Sequence, residues 1–281
     1  MIDLHTHSYF SDGSDSPEQL VQKAHNMGLY ALALTDHDVV DGCPELLLAG
    51  KKFNDVMVIM GSELGVDHPA GMEIIALNIK DLAPYQDRQR QLIEIRNNAN
   101  RERIAKLNQC GFAISWQDVA FDENGVPRKL VGKPHIAEAM FKKGYVSSKD
   151  DVYSKYLAKG CPAYTKKHDP DTRQTIDFIR QTGAVAVLAH PCLIRLKGRD
   201  LFNEVKRLQS WGLQGIEVMH SDMTSDQMRE YNEMADTLGL LKSGGSDYHG
   251  AKAHPDVELG TGRGNLNVPN AFIDRILEAS K

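Results

Sequence analysis

Near its amino end the chain reads DLHTHSYFSDGS, which sets His5 and His7 one residue apart and Asp12 five residues further on, beside a glycine. The same residue types return in TDHD (35–38), GSE (61–63), AHP (189–191), IEVMH (216–220) and GSDYH (245–249). Residues i and i+2 of a strand project to one side, so His5 with His7, and Asp247 with His249, each aim two ligands at one point. Imidazole and carboxylate without thiolate suit Zn, Mn or Fe. Carboxylates can bridge two ions, and such clusters activate water and clamp phosphoryl oxygens. Each residue alone has an ordinary explanation. Asp12 in SDGS is a turn residue, Asp36 or Asp38 caps a helix, and a histidine at a strand end makes a hydrogen bond. Their recurrence after successive strands is what those explanations leave out.

Bringing such distant segments together needs a scaffold. Apolar runs at 1–5, 30–35, 56–61, 72–79, 184–190, 215–220 and 240–247 are expected strands. Helical patterns lie between most of them. Ser16, Pro17, Gln19 and Gly28 punctuate the first helix, and Gly183 and Gly239 stop two later ones. Strands alternating with helices imply a mostly parallel sheet, whose strand carboxyl ends share the face where sites form. His5, His7, Asp36, His37, Asp38, Glu63, His190, His220, Asp247 and His249 all fall at such ends. From about Tyr85 to Tyr164 no strand is expected. That stretch reads as one long helix, with Leu92, Ile95, Ile104 and Leu107 on its apolar side, and two shorter helices. The expected organisation is a first barrel segment (1–85), a helical insertion (86–164) and a second barrel segment (165–281).

The 281 residues, 41% of them hydrophobic, can bury a large core. A net charge of -5 argues against broad binding along a phosphate backbone. Four scattered cysteines, Cys43, Cys110, Cys161 and Cys192, form no CxxC pair and fit a reduced chain. The opening MIDLH has no basic or apolar leader, and no run reaches the roughly 18 apolar residues of a membrane span. A cytoplasmic enzyme with no membrane contact and no obligate protein partner is the expectation.

The ordered set HTH, SDGS, TDHD, GSE, AHP and GSDYH resembles the PHP family, the polymerase and histidinol phosphatase phosphoesterases, over nearly the whole chain. GKPHIAEAM and VYSKYLAKGCPAYTKKH are similar to its free-standing branch of bisphosphonucleoside phosphatases, 5′-to-3′ trimming ribonucleases and a cyclic ribose-phosphate phosphodiesterase. The resemblance implies a distorted seven-stranded βα barrel, TIM-like, with a helical insertion over its mouth. It implies two or three divalent ions (Mn, Fe or Zn). His5, His7, Glu63 and Asp247 would surround one, Asp12, His37 and His249 a second, and His190 a third bridged by Glu63.

One departure is expected. The family has a histidine in its fourth strand, in a phrase like EIHILG, and Ile75 is taken to stand in that place. The third position is then short of a ligand, with His68 or His220 as substitutes. Phosphate would be met by His135, Lys167, His168, Arg195 and His220, with Lys133, Lys166 and Arg263 of GTGRG as further basic candidates. Asp247, His190 or His249 would protonate the leaving oxygen. The expected substrate is a small phosphorylated nucleoside or sugar. Alternatives are short RNA trimmed from its 5′ end, histidinol phosphate, or no reaction at all, the chain serving as a binding module.

Overall fold

The computed structural model describes residues 1–121, 125–128, 131–165 and 169–280. By internal packing the chain divides into two compact units, Met1–Asp87 with Pro170–Lys281, and Arg88–Asp169.

The first unit carries a seven-stranded sheet ordered as in the sequence. Its strands are β1 (Ile2–Asp3), β2 (Ala31–Leu34), β3 (Met57–Gly65), β4 (Glu73–Leu77), β5 (Val185–Leu188), β6 (Gly215–His220) and β7 (Leu241–Gly245). All neighbours are parallel except β4, which runs antiparallel to both β3 and β5. Past the end of β1 the backbone keeps pairing. Leu4 N donates to Gly244 O (3.1 Å), Asp247 N to His5 O (2.9 Å), and His7 N to Tyr248 O (2.9 Å). The mixed sheet is thereby nearly closed into a barrel.

Alternation sorts the strand side chains into two cores. Ala31, Ala33, Ile75, Leu77, Val185 and Val187 pack together with Ile2 and Leu4 in one cluster. The intervening Ile74, Ala76, Ala186 and Leu188 pack with residues of the flanking helices in another. Those two rows are the inner and outer faces of the barrel wall. Helix α1 (Pro17–Met27) starts as its sequence dictates. Ser16 Oγ accepts from Gln19 N (3.1 Å), Gln19 Oε1 accepts from Ser16 N (2.8 Å), and Gly28 closes the helix at φ 68°. Next comes α2 (Cys43–Lys52).

In the second unit most of α3 (Ala83–Gln109) packs with α4 (Gln117–Ala120), α5 (Lys133–Lys142), α6 (Lys149–Val152) and a π turn at Tyr153–Leu157. Ile104, Leu107, Ile136, Met140 and Val152 form its apolar core. Ile95, expected on the apolar side, is exposed. The first unit resumes with α7 (Thr172–Gln181), α8 (Gly198–Ser210), α9 (Ser225–Leu238) and α10 (Ala271–Ala279). The four cysteines are unpaired. No helix among the described residues is long and apolar enough to cross a membrane.

Candidate metal centre

The loop after β1 is fastened before any ligand atom is considered. Asp36, buried at the end of β2, accepts from Ser8 N, Ser8 Oγ and Ser11 Oγ, all at 2.7 Å. This sets the segment that carries His7 and Asp12. Asp3 braces β1 against β7, accepting from Ser246 N (2.9 Å), Ser246 Oγ (2.5 Å) and Gly260 N (2.7 Å). His190 and Asp247 both turn away from their strands at positive φ, 23° and 56°. Neither is glycine, so the surroundings hold them there against local strain.

Around this frame the side chains converge. Ligand atoms of His5, His7, Glu63 and Asp247 lie within 4.8 Å of one another. Those of His7, Asp12, His37 and His249 do the same. His7 Nε2 is 3.4 Å from Glu63 Oε2 and 3.0 Å from Asp247 Oδ1. Yet neither ring nitrogen of His7 makes a hydrogen bond, although the ring is fully buried. Buried polar atoms rarely stay unpartnered. Acceptors close by but out of line are what a set of atoms gathered around a shared centre presents, so the residues fit a divalent cation.

Glu63 is the hub. Its Oε2 is 3.2 Å from His5 Nε2 and from His37 Nδ1, and its Oε1 is 2.8 Å from His190 Nε2. Burial alone would raise its pKa, but His5 and His190 outweigh that and hold the carboxyl well below the usual range. Asp247 is likewise held well below it by His5, His220 and His7, against burial. His190 moves the other way. Burial opposes its charge, but Glu63 and Glu73 lift its pKa to about 10. His7 differs. Burial dominates and lowers its pKa, so it is the imidazole most ready to offer a lone pair.

Sequence reasoning missed Glu217. This carboxylate, in β6 and wholly buried, takes His5 Nδ1 on Oε1 (3.0 Å) and the backbone N–H of His190 on Oε2 (2.6 Å). An acceptor on Nδ1 assigns the proton there and turns His5 Nε2 toward the cluster. A carboxylate inside an otherwise apolar strand, IEVMH, was the available clue. His254 was missed too; its ring meets that of His249 edge-on at 5.1 Å.

In the fourth strand Ile75, fully buried, stands directly opposite Glu63 in the β3–β4 pairing, so an apolar side chain lies beside the hub carboxylate. The β4 residue at the mouth is Glu73, whose Oε2 is 3.4 Å from His190 Nε2 and whose Oε1 is 3.6 Å from His37 Nδ1. His68 is no substitute ligand; it is tied to Glu204 (3.1 Å) and Arg207 (3.3 Å). His220 does reach the cluster. Its Nδ1 accepts from Asp222 N (3.1 Å), and its Nε2, without a hydrogen bond, points to the cluster 3.4 Å from Asp247 Oδ2.

Among the expected phosphate contacts, Arg195 donates to Pro69 O (2.8 Å). His135 lies in the second unit, where its Nδ1 accepts from Gly132 N (2.9 Å). Lys166, Lys167 and His168 lie outside the described residues. Arg263 is paired with Asp222 and Asp256, which takes up the charge expected for a phosphate loop.

Comparison with known proteins agrees with this geometry. Residues 3–236 match the PHP domain family. A 5′-3′ exoribonuclease of Haemophilus influenzae is 29% identical over 88% of this chain and 89% of its own. A 3′,5′-nucleoside bisphosphate phosphatase of Chromobacterium violaceum is 29% identical over 88% and 87%. A phosphoribosyl 1,2-cyclic phosphate 1,2-diphosphodiesterase of Eggerthella lenta is 29% identical over 88% and 94%. A Bifidobacterium adolescentis structure assigned as a metal-dependent phosphoesterase superposes over 100% of this chain and 96% of its own, with a TM-score of 0.75 and 26% identity. The chain belongs to the PHP domain family and is a metal-dependent phosphoesterase.

Proposed function

We propose that this chain hydrolyses a small phosphorylated nucleoside or sugar, of the 3′,5′-bisphosphonucleotide or cyclic ribose phosphate type. Two or three divalent ions would serve it. His5, His7, Glu63 and Asp247 would hold one, and Asp12, His37 and His249 a second. Glu63 and His190 would contribute to a third. The observation that carries this reading is His7, fully buried with both ring nitrogens unpartnered between two ligand groups. When bound, Mn, Fe or Zn ions lower the pKa of water toward neutrality and neutralise charge on phosphoryl oxygens.

The chain's own residues do the positioning. Glu217 keeps a proton on His5 Nδ1 and steadies the strained His190 turn. His220 Nε2, buried and without a hydrogen bond, lies 3.4 Å from Asp247 Oδ2. Asp247 is held ionised in the metal-free chain and is a poor proton donor. The leaving oxygen would then take its proton from solvent on the open side, where Asp12 is half exposed. The names of the relatives support a phosphorylated nucleotide, cyclic ribose phosphate or RNA substrate.

The test is a metal-loaded chain offered three substrates: a 3′,5′-bisphosphonucleoside, a cyclic ribose phosphate and a short RNA. Turnover of a small ester is the expected result. Release of mononucleotides from the RNA 5′ end would move the assignment to an exoribonuclease. Bound ions with no hydrolysis across the panel would leave only a binding module. His7→Ala should abolish turnover and release at least one ion per chain while circular dichroism stays unchanged.

A further inference from the structure

We propose that Glu73 completes the third cation position with Glu63 and His190, making it a two-carboxylate, one-imidazole site more tolerant of Mn²⁺, relative to Zn²⁺, than a site with an imidazole in place of Glu73. This rests on the metal-centre reading above and goes beyond it in ligand and ion.

Glu73 opens β4, and the next residues on its face, Ile75 and Leu77, enter the apolar interior of the barrel. Its carboxylate is therefore the last group of that row, at the mouth, with its side chain 32% exposed. The backbone fixes its neighbour: Ala189 N donates to Glu73 O (3.1 Å), setting β4 beside the His190 turn. Glu63 and Glu73 then lie side by side between the same two imidazoles. His190 Nε2 is 2.8 Å from Glu63 Oε1 and 3.4 Å from Glu73 Oε2. His37 Nδ1 is 3.2 Å from Glu63 Oε2 and 3.6 Å from Glu73 Oε1.

His37 has two nitrogens and two tasks. Its Nε2 faces Asp12 Oδ2 at 3.6 Å, in the second ligand group. Once that nitrogen offers its lone pair, Nδ1 carries the proton and donates to the carboxylate pair. This leaves Glu63, Glu73 and His190 as ligands. Two adjacent carboxylates repel unless positive charge lies between them. An imidazole in place of Glu73 would contribute no charge. A carboxylate there makes the site harder and more anionic, which narrows the advantage that Zn²⁺ holds over Mn²⁺ at a nitrogen-rich site.

The experiment compares the wild-type chain with Glu73→Gln and Glu73→His, each stripped by chelation and reloaded anaerobically with Mn²⁺ or Zn²⁺. Bound ions are counted by mass spectrometry, and Mn²⁺ affinity is read by paramagnetic resonance. E73Q should bind one Mn²⁺ fewer per chain, or bind the weakest one about tenfold less tightly or worse. E73H should bind the full number of ions but shift the Mn²⁺ to Zn²⁺ preference toward zinc. Melting curves close to wild type would show that both variants fold. Identical ion counts and Mn²⁺ affinities in wild type and E73Q overturn the inference and leave the other two sites standing. A wild-type chain that binds neither ion overturns the metal centre itself.

Discussion

Glu217 serves two donors at once, the Nδ1–H of His5 and the N–H of His190. Glu217→Gln keeps the shape but puts an NH₂ group against one of them. The expected outcome is a loss of metal affinity of about 10- to 100-fold, read by competition with a chelator, with little change in KM. Ile75 faces Glu63 across the β3–β4 pair, with Leu77 and Val187 beside it. Ile75→His would set an imidazole next to that carboxylate. Ion counting should show no gain if Glu73 already fills the third position, and an added ion would mean that it does not. The metal-type residues at strand ends were legible because period-two spacing and the absence of thiolate narrow the chemistry. Glu73 was not. A single glutamate ahead of an apolar run looks like any strand-opening surface charge, and only the β3–β4 pairing shows it beside the ligands.

Strands and caps were the most legible elements. All seven expected strands form, and Ser16, Gln19 and Gly28 cap α1 as their types require. The direction of β4 was not foreseen, since an apolar run reads alike both ways. The clue lay in the link: β3 ends at Gly65 and β4 begins at Glu73, too few residues for a parallel crossover. The approach of β7 to β1 follows from the expected barrel, but how close it comes was not readable. At Gly245 a Cβ would fall 2.4 Å from His5 N and 2.7 Å from Asp3 Oδ1. Gly245→Ala should therefore push His5 out of line and cost about 1–3 kcal/mol. Thermal melting would register the first-order loss, and ion counting would register the displaced ligand.

Across the whole molecule, the metal-free cluster is a set of opposed charges. The raised pKa of His190, about 10, means that its pairing with Glu63 is fully present below the ordinary imidazole value and fades as pH climbs toward 10. Glu63 and Asp247, held low, contribute above the ordinary carboxylate range, and that contribution is lost as pH falls through their depressed values. A cation entering the third position proposed above would have to displace the proton on His190. Mn²⁺ affinity should thus rise from pH 6 to pH 9, measured by titration calorimetry at fixed ionic strength; a flat profile would mean that His190 gives up no proton. The second unit leaves the chain after β4 and rejoins it before β5, two strands paired along Ile74–Leu77 and Val185–Leu188. Glu73 opens one of these strands and His190 follows the other. Their meeting is thus written into the β4–β5 ladder of the first unit, whatever the long excursion between those two strands does.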